Sequence, residues 1–194
     1  LVIAPDAAVT ITGAISAANL DLVANATTGA VTATVVDGAV AATLTALGNV
    51  GDDDVITFTT TDTSADASDL VALGAKVDTF TTTDVATITE AAASIGTDAA
   101  TVLAALVIAP DAAVTITGAI SAADLNSIAA ATTGVVTATL DPATALSDAM
   151  VSALTNVDAA DVITLASTVI TADATALVAL NTLADTKSFN NVAT

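Results

Sequence analysis

The chain has 194 residues, 54% of them apolar and only 2% aromatic, so a core must be built from closely packed Ala, Val, Leu and Ile rather than from large anchors. Its 21 acidic residues face two basic ones, Lys76 and Lys187, and the net charge of −19 excludes nucleic acid and anionic membrane surfaces as partners, since both require Lys and Arg. With no Cys, disulfides and thiolate metal sites are excluded; with no His, Arg or Tyr, the commonest catalytic bases and phosphate clamps are missing too.

Repetition organises the rest. Leu1–Ala18 recurs letter for letter as Leu106–Ala123, and the match continues with drift through Thr28/Thr133, Gly29/Gly134, Asp54/Asp161 and Phe80/Phe189. The chain therefore divides into a first long repeat, 1–105, and a second, 106–194, expected to form one continuous array. Leu1 falls inside a repeat, which points to a window cut from a longer protein.

In chain order, apolar residues alternating with threonine mark strands centred near Ile11, Ala33, Phe58, Phe80, Ile88, Ile116, Ala138, Leu165 and Phe189. The short interval from Phe80 to Ile88 is the exception to the spacing and leaves open one long strand, a bend or an extra turn. Helical spacing marks Ser16–Ala26, Gly38–Leu47, Ala65–Val77, Thr97–Leu106, Ser121–Ala131, Pro142–Leu154 and Ala172–Leu183. Ser16 and Ser121 are N-caps, Pro142 suits a first turn, and Gly134 is expected to end its helix in the left-handed conformation. No run of 18 uncharged apolar residues exists, so no membrane insertion is expected.

Strand and helix alternating with short connections imply parallel strands with right-handed crossovers. The expected fold is α/β: a right-handed parallel strand–helix solenoid, leucine-rich-repeat-like, with units of about 22–26 residues. Ile11, Ala33, Phe58, Phe80, Ile116, Ala138, Leu165 and Phe189 should meet the helices. The opposite face should expose two columns of hydroxyls: Thr10 and Thr12, Thr32 and Thr34, Thr57 and Thr59, Thr79 and Thr81, Thr87 and Thr89, Thr115 and Thr117, Thr137 and Thr139.

The module Ile120–Leu140, ISAADLNSIAAATTGVVTATL, and its copy at Ile15–Val35 resemble repeats of very large, acidic, Cys-free surface or secreted proteins of bacteria, notably cyanobacteria. That resemblance implies an extracellular structural or adhesive protein of leucine-rich-repeat-like shape. Some such proteins carry calcium-binding nonapeptides; that pattern is absent here.

Three function classes follow. The first is a non-enzymatic surface, coat, adhesin or filament segment, with end-to-end self-association or stacking on further repeats of the same chain. The second is an ice- or surface-binding solenoid, since Thr-x-Thr on stacked strands resembles the flat faces of β-solenoid antifreeze proteins. The third, an enzyme, would have to rely on Ser, Thr, Asp and Lys, and the chain is read as no enzyme, with no cofactor. Asp52, Asp53 and Asp54 form the densest acidic cluster, and oxygen-only ligands suit Ca2+. The second copy reads Asp158-Ala-Ala-Asp161 there, so a solvated turn competes with a metal loop.

Overall fold

The computed structural model describes residues 4–91, 98–141, 145–166 and 171–183. The chain forms two compact units, Leu1–Val85 and Ala86–Thr194, and the division falls in the irregular interval between Phe80 and Ile88.

The first unit runs β1 (Val9–Ile15), α1 (Ala17–Ala24), β2 (Val31–Val35), α2 (Val40–Ala46), β3 (Val55–Thr59), β4 (Ser64–Asp66), α3 (Ala67–Gly74) and β5 (Thr79–Thr81). Strands β1, β2, β3 and β5 lie side by side in that order, every pair parallel. The second unit runs β6 (Thr87–Ala91), α4 (Asp98–Ile108), β7 (Ala113–Ile120), α5 (Ala122–Ala131), β8 (Val136–Leu140), β9 (Ala145–Leu146), α6 (Asp148–Ser152), β10 (Val162–Leu165), β11 (Thr171–Ala172) and α7 (Ala174–Leu183). Here β6, β7, β8 and β10 pair in parallel in that order, and β9 pairs with β11. The fold is thus α/β, with strands and helices alternating and the main strands of each unit adjacent in chain order.

The local causes are legible. The Ser16 and Ser121 hydroxyls accept from the N–H groups of Asn19 and Asp124, at 3.3 and 3.1 Å, and so cap α1 and α5. Leu20, Leu70, Leu73, Leu125 and Ile128 give the helices their buried stripe. On the strands the inward residues are Val31, Ala33, Val35, Ile56, Phe58, Val114, Ile116, Val136, Ala138, Leu140, Ile163 and Leu165. Phe58 meets half-buried Phe80 with ring centroids 5.7 Å apart and planes tilted by 38°, as aromatic pairs prefer.

Of the alternatives open between Phe80 and Ile88 the turn is the one found, with the two residues on separate strands, β5 and β6. Several other expectations are corrected. Short strands β4, β9 and β11 stand just ahead of α3, α6 and α7, where helix was expected to begin or loop to run; two or three residues are too few to show alternation. Pro142 and Phe189 lie outside the described residues. Gly134 does not take a left-handed conformation: positive φ occurs at Gly13 (+91°) and Gly118 (+119°), in matching bulges of β1 and β7. Gly134 is needed for space instead, since a Cβ there would lie 2.6 Å from backbone atoms of Ala112 and Ala113.

Ile11 is half-exposed, although Ile116, the same residue in the second copy, is only 6% exposed. The difference is cover: β7 is flanked on both sides, whereas β1 is an outer strand. Ile116→Ala should therefore cost about 3 kcal/mol, within the usual range for emptying a packed core site. Ile11→Ala should cost less than half as much. Urea midpoints of the two variants check this, and equal losses would contradict the difference in packing.

Candidate functional site

None of the twelve threonines Thr10, Thr12, Thr32, Thr34, Thr57, Thr59, Thr79, Thr81, Thr115, Thr117, Thr137 and Thr139 is buried. The structure steps their alignment. Thr10 sits beside Thr32, but the next position in that row is Val55, 47% exposed. Thr34, Thr57 and Thr79 share a row that begins at Ala14; Thr59 pairs with Thr81. Thr12 falls in the β1 bulge. The second unit repeats the step: Thr89, Thr115 and Thr137 are in line with Val162, and Thr139 lies between Ala119 and Thr164. The hydroxyls form interrupted rows of two or three, not two unbroken columns. The cause is a two-residue slip: Ala33 pairs with Ile56 rather than Phe58, which preserves the facing of every side chain.

The acidic cluster is dispersed by its own bonding. Asp52 and Asp53 are exposed, while Asp54 turns inward. Its Oδ1 accepts from the Val31 N–H at 2.7 Å and its Oδ2 from the Gly51 N–H at 2.9 Å. Asp161 makes the same pair of bonds to Val136 at 2.8 Å and Asp158 at 3.0 Å, and is 4% exposed. Each carboxylate, standing just ahead of its own strand, thus supplies the acceptor for the first N–H of the strand beside it, β2 beside β3 and β8 beside β10. Among the described residues no group of three or more potential metal-ligating side chains converges.

This pattern extends to residues that sequence reasoning missed. Asp78 accepts from Ile56 at 2.9 Å. Asp62 accepts from the Val40 N–H at 2.7 Å, and so caps α2, whose own N-cap Ala39 has no side chain able to do so. Asp21 takes both the backbone and side-chain N–H groups of Asn49; its counterpart Asn126 accepts from Asn156 at 2.8 Å. Thr27 and Thr132 donate to the Ala7 and Ala112 carbonyls at 2.6 and 2.7 Å while accepting from Gly29 and Gly134. Each of these contacts joins a polar side chain of one strand–helix unit to main chain 20–30 residues away in an adjacent one. Their only sequence signal is that most recur in both long repeats.

A small hollow lies beside these ties in each unit. One, of about 170 Å³, is bordered by Thr27, Gly29, Asn49 and Asp54; the other, of about 80 Å³, by Thr132, Gly134, Asn156 and Asp161. Both open beside the Gly–Thr turn and the inward carboxylate, and in each that carboxylate already holds two backbone donors.

The titration of Asp173 is displaced. Hydrogen bonds from the Thr175 hydroxyl (2.7 Å) and then its N–H (3.1 Å) hold Asp173 below the ordinary aspartate pKa, against a smaller opposing effect of burial. A depressed folded-state pKa stabilises above the unfolded value and is lost as pH falls through the folded one. Thr175→Val should therefore raise the Asp173 midpoint toward that of a free aspartate, as followed by NMR titration of its carboxyl carbon. An unmoved midpoint would refute the assignment.

Among the described residues no helix is long and apolar enough to cross a membrane. No protein-family model, characterised protein or solved structure matches the chain.

Proposed function

We propose that the chain is a non-enzymatic structural repeat segment of an extracellular or cell-surface bacterial protein, acting as spacer, coat, adhesin or filament. The strand–helix rungs of each unit are read as a right-handed, leucine-rich-repeat-like solenoid, able to stack on further rungs of its own kind. What supports this is the use made of polar side chains. Asp54 and Asp161, Thr27 and Thr132, and Asp21 and Asn126 all tie one rung to another, and they recur together. Duplication has thus preserved architecture at these positions. The acidic surface keeps such arrays soluble and condenses cations diffusely. Immunogold labelling of intact producing cells with antibody to the folded chain should decorate the surface; label confined to the cytoplasm would overturn the placement.

The aligned row Thr34, Thr57 and Thr79, exposed at its two ends and half-buried at Thr57, favours one second reading, ice or surface binding. On that reading the chain inhibits ice recrystallisation, and Thr34→Lys, Thr59→Lys and Thr139→Lys abolish the inhibition. No inhibition by the parent chain removes this reading.

A further inference from the structure

The identical segments Leu1–Ala18 and Leu106–Ala123 provide an internal comparison. Both pair on one side with an equivalent strand in an equivalent register, Val9 with Val31 and Val114 with Val136, and both bulge at the same place. On the other side they differ. Strand β7 receives β6, with Thr87 opposite Ala113 and Ala91 opposite Thr117. The Ala113 N–H donates to the Ala86 carbonyl at 2.9 Å, and the Thr117 hydroxyl to the Glu90 carbonyl at 3.2 Å. Helix α4, which follows β6, packs on α5. Strand β1 has no strand on that side among the described residues.

Burial follows the cover. Ala112, Val114, Ile116, Ile120 and Ala122 are buried, whereas Ala7, Val9, Ile11, Ile15 and Ala17 are half-exposed. Parallel pairing alternates the direction of backbone groups. Ala8, Thr10 and Thr12, the counterparts of Ala113, Thr115 and Thr117, therefore point their N–H groups to the outer edge.

We propose that this outer edge of β1 is a preformed acceptor for a parallel strand of the Thr87–Ala91 class, carried with its helix by a further strand–helix unit of the same repeat. The docked strand takes the Ala8 N–H and the Thr12 hydroxyl on its carbonyls and covers Val9 and Ile11, as β6 covers Val114 and Ile116. The inference rests on reading the chain as stacking rungs, but its test is independent of cellular location.

The test joins a second copy of segment 84–105 ahead of Leu1 in the full chain, reproducing the linkage at Leu106 and replacing weak association with high effective concentration. Amide exchange at Ala8, Thr10 and Thr12 should slow at least tenfold, toward the rates at Ala113, Thr115 and Thr117. Ile→Asp at the added counterpart of Ile88 should abolish the gain while the original Ile88 keeps β6 in place. Exchange at β1 unchanged by the extension would overturn the proposal. Concentration-dependent self-association of the unextended chain that protects the same amides would also overturn it, by assigning the edge to a second copy whose own β6 is already paired. Surface labelling with no gain in protection would leave the proposed function standing and remove only this edge.

Discussion

Gly134→Ala should destabilise the second unit by about 3 kcal/mol, at the upper end of what one surplus carbon ordinarily costs. The new Cβ would sit 2.6 Å from the Ala112 carbonyl and the Ala113 nitrogen, where non-bonded carbons settle near 3.5–4.0 Å. The obstacle is backbone, so no side chain can swing aside. Nor can the two segments part freely. The Thr132 hydroxyl clasps the Ala112 carbonyl and the Gly134 N–H together, and the Val114 N–H is bonded to Val135 one residue further on. Relief means breaking that set. Gly29→Ala should behave alike, because Gly29 is placed the same way against Ala7 and Ala8. Gly13→Ala makes the contrast: its φ of +91° strains any side chain, but nothing lies within 4 Å of the new carbon, so about 1 kcal/mol is expected. Urea midpoints, with amide exchange to localise the loss, would rank the three. A Gly134→Ala protein as stable as its parent would refute the close approach.

The same glycine shows where sequence reasoning reaches and where it stops. A Gly three residues past a helix invites the left-handed cap, since that is the local use of glycine. The actual demand comes from β7, which is remote in sequence. Elements set by neighbours in the chain are legible: Ser16 and Ser121 start helices, Leu125 and Ile128 share a stripe, and Thr137 and Thr139 face away from Ala138. Quantities that need two strand–helix units at once are not. The slip that sets Thr32 beside Val55, the bulge that removes Thr12 from its row, and the capping of α2 by Asp62 all depend on register between neighbouring strand–helix units. Strands β4, β9 and β11 are too short to carry a period. Ile116 lies in the core as the strand period expects, yet Ile11, its copy, is half-exposed, because different neighbours cover the two.

Asp161→Ala should cost about 3 kcal/mol, and this effect separates a backbone acceptor from a metal ligand. Removing the carboxylate leaves two N–H groups, of Val136 and Asp158, without their acceptor, in a place where the carboxylate itself is only 4% exposed. Each buried donor so stranded costs about 1–3 kcal/mol, and the Val136 end is the more deeply buried. Asp161→Asn should fall between parent and alanine variant, because an amide offers one acceptor where two N–H groups converge. Asp54→Ala should lose less, since its bond to the Gly51 N–H lies at the exposed end. Asp52→Ala and Asp53→Ala should change stability by no more than about 0.5 kcal/mol, as ordinary surface positions do. These losses should be equal in calcium chloride and in EDTA, because the acceptor role needs no cation. A metal loop demands the reverse: losses at Asp52 and Asp53 that appear only when calcium is present. Chemical denaturation of the five variants in both buffers decides between the two, and a calcium-dependent loss at Asp161 would show that the backbone bonds are not what the carboxylate is there to make.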